Sequence, residues 1–161
     1  IRLCQRLPDL HAVLAGDGPL EDRLAAMIAD AGLGGRIHLI GRVSPVEPVM
    51  AAFDTLFLSS LLEGLPNVII EAQALGIPVA ATDVGGVAEA LAPAPLGLLL
   101  PEDPPAALAP RIAAFMQERR AAPETARQLA AFVDARFSVA AMAEKTRSAY
   151  RRAMAEAARR D

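Results

Sequence analysis

The chain has 161 residues and is 53% hydrophobic, long enough for one globular domain with a proper core and too short for two ordinary ones. A formal charge of −3 argues against a general grip on nucleic acid, which relies on clustered positive charge. No apolar run approaches the ~20 residues that span a bilayer, no charged start with an apolar core marks a signal peptide, and the single cysteine, Cys4, is expected to be a buried thiol in a reducing, cytoplasmic setting.

In chain order, Ile1, Leu3, Cys4 and Leu7 followed by Pro8-Asp9 read as the end of an amphipathic helix entering a strand. In a β-α-β fold such a helix follows a strand, so the expected chain is a fragment without its first strand and loop. His11 to Ala15 is the next strand, closed by Gly16-Asp17-Gly18-Pro19. Leu20, Leu24, Met27 and Ile28 share one face of a helix that Gly32 and Gly34-Gly35 stop. Arg36 to Ile40 is a strand ending at Gly41, Val49 to Phe53 a short helix after Pro45 and Pro48, and Thr55 to Ser59 a third strand. Pro66 to Leu75 reads as a helix with Pro66 at its first position and Gly76 at its stop. Pro78 to Thr82 is a strand, Gly85-Gly86 a loop, Val87 to Leu91 a short helix and Leu96 to Leu100 a final strand. This rhythm defines an α/β domain with a mostly parallel sheet. Three helices follow, with Leu108, Ile112 and Phe115 on one face, then Leu129, Phe132 and Val133, then Met142, Thr146 and Tyr150. The expected division is a domain over 1–137 and a packed C-terminal helix over 138–161.

The segment from Ser60 to Ala72 carries the chemistry. Leu65, before Pro66, has no side-chain oxygen for the free N–H groups of the helix start, and Gly64 removes a side chain where a ligand can approach. A helix N-terminus favours phosphate oxygens, so one reading is an anion-binding turn; the other is that water or a neighbouring loop satisfies the amides. Glu71 lies among Val68, Ile69, Ile70, Ala72, Ala74 and Leu75, a pattern that predicts a buried helix. A buried carboxylate needs a partner, and Asn67, Val68, Ala74 and Leu75, its neighbours at three and four positions, carry no positive charge. A ligand hydroxyl pair is one partner and a distant arginine or backbone N–H the other. Glu63 either faces the same ligand or is a solvated loop residue.

Glu63-Gly64-Leu65-Pro66-Asn67-Val68-Ile69-Ile70-Glu71-Ala72, then Ala74-Leu75-Gly76-Ile77-Pro78-Val79 through Asp83-Val84-Gly85-Gly86 and Glu89, closely resembles the retaining glycosyltransferases of family four. Looser agreement extends to Gly16-Asp17-Gly18-Pro19, Gly41-Arg42-Val43 and Leu99 to Asp103. The resemblance implies the C-terminal, Rossmann-like half of a two-domain GT-B fold: a parallel sheet flanked by helices, here without its first strand. It implies a bacterial, hexosyltransferase-type enzyme of glycan biosynthesis, transferring sugar from a UDP-, GDP- or ADP-linked donor to an acceptor hydroxyl with retention, without a separate cofactor. Glu71 would bond the ribose hydroxyls and Glu63, the candidate catalytic residue, the transferred sugar. Backbone amides of Gly64, Leu65, Pro66–Asn67 and Val68 would meet sugar and diphosphate, while Arg42 and Val43 meet the base and Gly16 lines the site.

The sequence departs from that family where an arginine and a lysine ordinarily grip the diphosphate. Of 16 basic residues only Lys145 is a lysine, and none lies from Val43 to Pro110. With the acceptor-binding N-terminal domain also expected to lie outside this chain, these residues alone should turn over no donor. The rivals are a nucleotide-sugar epimerase and a non-catalytic nucleotide-sugar-binding or interaction module. A dinucleotide site is disfavoured because Gly16-Asp17-Gly18 lacks the third glycine, and a P-loop fails for want of Gly-Lys-Ser/Thr. No metal cluster is expected, and His11 and His38 read as packing or rim residues. Arg147, Arg151, Arg152, Arg159 and Arg160 read as a solvated face, with membrane contact peripheral at most.

Overall fold

The computed structural model describes residues 1–118 and 123–159; Arg160, one of the tail arginines, lies outside them. The order is α1 (Arg2–Arg6), β1 (Ala12–Ala15), α2 (Glu21–Asp30), β2 (Ile37–Gly41), α3 (Glu47–Met50), β3 (Leu56–Leu58), α4 (Asn67–Ala74), β4 (Val79–Thr82), α5 (Val87–Ala90), β5 (Gly97–Leu100), α6 (Pro105–Glu118), α7 (Pro123–Phe137) and α8 (Val139–Ala157). All strand pairings are parallel. They form two ladders, β1-β2 and β3-β4-β5, where the rhythm of the sequence suggests one sheet.

Side chains alternate across β4 and so build two core layers. Val79 and Ala81 pack with Met50, Ile69, Ala72, Val87 and Leu91, which places α3, α4 and α5 on one face. Ala80 packs on the other with Leu100, Leu108, Ile112 and Phe115 of α6, and Leu3 of α1 joins them. The two-stranded ladder has its own cluster, in which Cys4 and Ile28 cover Ile37 and Ala12. Cys4 is accordingly a buried free thiol.

Arg36, at the entry to β2, fixes α1. Its Nη1 donates to the carbonyls of Cys4 (2.6 Å), Leu7 (3.1 Å) and Pro8 (2.8 Å), at the end of the helix whose dipole favours a cation.

Three helix expectations shift. α3 starts at Glu47 instead of Val49, because proline is tolerated in a first turn and Pro48 sits inside the helix rather than ahead of it. Pro66 precedes α4 as its cap residue, with an extended ψ of 103°, so the helix begins at Asn67. Met142 and Tyr150, placed by spacing on one face of α8, are 60% and 69% exposed, and α8 buries no residue.

Candidate functional site

In each ladder the strands pair in parallel, so the loops at their carboxyl ends open on that ladder's one rim: Gly16, Arg42 and Val43 on that of β1-β2, and the run from Glu63 to Val68 on that of β3-β4-β5. The Gly16 N–H donates to the Gly41 carbonyl at 2.8 Å, tying the loop after β1 to the one after β2. Arg42 beside it is exposed and Val43 half-buried.

The loop from Ser60 to Pro66 is held from three sides. Ser60 Oγ donates to Glu63 Oε1 at 2.6 Å, and Thr82 Oγ1 at the end of β4 donates to the Ser60 carbonyl at 2.7 Å. Gly86 N–H donates to the Gly64 carbonyl at 2.8 Å. The approach is so close that a Cβ on Gly85 would overlap the Glu63 carbonyl oxygen, and one on Gly86 the carbonyl oxygen of Gly64. Gly85 also has φ +53°, a left-handed conformation that glycine adopts freely. Gly85-Gly86 is thus a clamp on the loop that carries Glu63, a role the sequence reading, which assigned it only a loop, missed. By contrast, the space where a Cβ of Gly64 would stand is open.

No side chain caps α4. Pro66 has no side-chain acceptor, the Ile69 N–H reaches the Pro66 carbonyl at 3.1 Å, and the Asn67 and Val68 amides at the first turn have no backbone acceptor among the described residues. These amides follow Gly64 in the chain, and a helix start favours an anion.

Glu71 corrects the sequence reading. It is exposed, and no buried carboxylate here demands a partner. At about 100° per residue, Ile69, Ala72 and Gln73 form the buried stripe, while Asn67, Glu71, Ala74 and Leu75 share the outer side. The buried polar group of α4 is Gln73, wholly enclosed. Its Nε2 donates to the Ala90 carbonyl (2.8 Å) and its Oε1 accepts from the Ala92 N–H (2.6 Å), joining α4 to the end of α5. Glu71, one turn further along the helix than the uncapped amides, is left exposed. His11, just ahead of β1, and His38 of β2 are exposed and stacked, with Nδ1 and Nε2 3.3 Å apart.

Parallel strands, helices on both faces of β4 and a glycine-clamped loop at the strands' carboxyl ends place the chain in the open α/β class of fold. Within that class, the family described as Glycosyl transferases group 1 matches residues 1–118. The chain belongs to this family, and its fold is that of one half of a GT-B glycosyltransferase. It is 39% identical over 82 residues to the lipopolysaccharide core biosynthesis glycosyltransferase LpsE of Rhizobium meliloti, covering 51% of this chain and 24% of that protein. It is 34% identical over 119 residues to the mannosyltransferase LpsB of the same organism, covering 70% of this chain and 34% of that one. The chain thus spans a quarter to a third of these curated relatives. The structure of HepE from Anabaena in complex with UDP superposes with a TM-score of 0.77 at 25% identity, covering 92% of this chain and 43% of that one. Among the described residues, no helix is long and apolar enough to cross a membrane.

Proposed function

We propose that the rim between Gly16 and Glu71 binds a nucleoside diphosphate sugar, and that the whole polypeptide transfers its glycosyl group to an acceptor hydroxyl with retention at the anomeric carbon. The observation that carries this reading is the clamped loop: Ser60, Thr82 and Gly86 fix Glu63 and Gly64 directly ahead of an uncapped helix start. HepE, a relative in fold at 25% identity, is recorded with UDP and with UDP-glucose, which supports a uridine or similar nucleotide as donor.

Departure of the diphosphate develops negative charge while the sugar becomes oxocarbenium-like, so preorganised donors must meet the phosphate and oxygen ligands the ring. The amides of Gly64, Leu65, Asn67 and Val68 supply the donors; Pro66 has no N–H and contributes shape alone. Glu63, its carboxylate steadied by Ser60, contacts hydroxyls of the transferred sugar. Glu71, solvent-facing and unpaired by any ion pair among the described residues, accepts from the ribose hydroxyls. The main chain at Arg42 and Val43 meets the base, and with no basic residue from Val43 to Pro110, Arg42 is the cation on this rim nearest in sequence to the loop. The acceptor lies on the remainder of the polypeptide, in the cytoplasm, and the product enters glycan synthesis.

The test is a panel of UDP-, GDP- and ADP-sugars with the polypeptide carried from its own start methionine, followed by proton NMR of the anomeric signal. Expected are acceptor-dependent release of nucleoside diphosphate and a product with the donor's anomeric configuration. An epimerised sugar still attached to its nucleotide assigns an epimerase instead, and binding without turnover a non-catalytic module.

A further inference from the structure

The sequence has two histidines, and the β1-β2 ladder brings them together. Val13 is the Cα partner of His38, and His11, two residues ahead of Val13, points to the same side. Leu10, Ala12, Ile37 and Leu39 point to the other side, into the cluster of Cys4 and Ile28. Both rings are exposed and within 4° of parallel, with His11 Nδ1 3.3 Å from His38 Nε2. The backbone beneath them is fixed, since Ala12 N–H donates to the Arg36 carbonyl at 2.8 Å.

Among the described residues neither ring has another hydrogen-bond or ion-pair partner. The outer nitrogens, His11 Nε2 and His38 Nδ1, are left to water. With the proton of each neutral ring on its outer nitrogen, both facing nitrogens present lone pairs. Two lone pairs so close repel, so without a cation one ring turns its proton inward and donates to the other. A divalent ion removes that conflict. Tetrahedral zinc, with imidazole nitrogens at about 2.0–2.1 Å, sets them about 3.3–3.4 Å apart, which matches the separation found here.

We propose that His11 and His38 form a two-histidine site for a divalent transition ion of the zinc class, completed by water. Neutral imidazoles suit zinc, nickel and copper, whereas magnesium and calcium take oxygen ligands. His11 lies just ahead of β1 and His38 near the start of β2, at the end of the ladder away from Gly16 and Arg42. The ion therefore bridges two strands without touching the residues proposed to bind the donor. Spacing in the sequence gave no ligand motif, because 27 positions separate the two histidines and only the register of the ladder joins them.

The test is calorimetry of zinc chloride into the polypeptide carried from its own start methionine, free of any affinity tag, repeated on His11→Gln and His38→Gln. Expected is saturable binding below about 1 mM zinc, weakened about tenfold or more by either substitution, with none of magnesium. Both side chains are exposed, so the variants should unfold at the wild-type temperature without zinc. A tenfold excess of zinc over its Kd should raise that temperature by about 3 °C in the wild type alone. Ring-nitrogen NMR of the wild type needs no variant: zinc should shift His11 Nδ1 and His38 Nε2 more than their outer nitrogens. Absence of zinc binding, equal affinity in both variants or unmoved facing nitrogens overturns the proposal. Binding seen only with dimers in sedimentation also overturns it, since the ligands then come from two chains.

Discussion

Gln73 holds α4 to the end of α5 through both ends of its amide, in a place no water reaches. Replacing it with leucine leaves the Ala90 carbonyl and the Ala92 N–H buried without partners, at about 1–3 kcal/mol each. Gln73→Leu should therefore lower the unfolding free energy by about 2–6 kcal/mol in urea titration, and a change under about 0.5 kcal/mol would contradict the role. Gly86→Ala drives a methyl into the Gly64 carbonyl. Backbone on both sides leaves little room to yield, so a loss of about 1–3 kcal/mol is expected together with displacement of the Glu63 loop. The readout is nucleoside diphosphate affinity, which should fall by more than the stability loss explains at a temperature where the variant is folded; unchanged affinity would remove the clamp from the account.

At the same scale lies the plainest difference between sequence and structure. The run from Val68 to Leu75 looks apolar all round, and that pattern alone puts Glu71 inside. Yet Ala74 and Leu75 are exposed, and an apolar residue on a surface is ordinary. Gln73 carried the opposite signal, being on the stripe of Ile69 and Ala72, but a glutamine's burial depends on partners at the end of α5 and just beyond it, seventeen and nineteen residues away. The Glu63 and Glu71 roles rest on family resemblance, whereas the clamp by Gly85-Gly86 depends on a tertiary approach that spacing does not encode.

Among the elements, α6 followed its periodicity, since Leu108, Ile112 and Phe115 are all buried, whereas of the expected faces α7 buries Leu129 with Phe132 and Val133 half-buried, and α2 buries Ile28 with Leu20 and Met27 exposed. α8 did not follow: its apolar residues repeat at helical spacing, but α7 is the element it packs on and none of its residues is buried. Periodicity reports which residues share a face and leaves open whether anything covers it. Its start is nevertheless well made, with the Ser138 hydroxyl accepting from the Ala141 N–H at 3.2 Å. Ser138→Ala should cost α8 about 1 kcal/mol, seen as faster exchange of its first-turn amides, with the unfolding of the remaining domain changed by less than about 0.5 kcal/mol. Equal loss throughout the domain would show that α8 is coupled to the core more tightly than its exposure implies.

At the scale of the whole molecule, the alternation of strands and helices identified an α/β layer with parallel strands, and all five strands lie where that alternation puts them to within about two residues. Their division into two ladders was not legible, because hydrogen-bond partners across a sheet are chosen by topology that local pattern does not contain. Parallel pairing within each ladder sets the loops after β1 and β2 on one rim and those after β3 and β4 on another, and the proposed function requires the two rims to adjoin. Its central claim is that the helix start of α4 and the accessible Glu71 together hold a nucleoside diphosphate. The most direct measurement is calorimetry of the polypeptide carried from its own start methionine against UDP, GDP and ADP, repeated with the tightest binder on Glu71→Ala. The account predicts saturable binding of at least one of the three, weakened about tenfold or more by the substitution, which corresponds to about 1.4 kcal/mol. Absence of binding by all three, or equal affinity in Glu71→Ala, would contradict it.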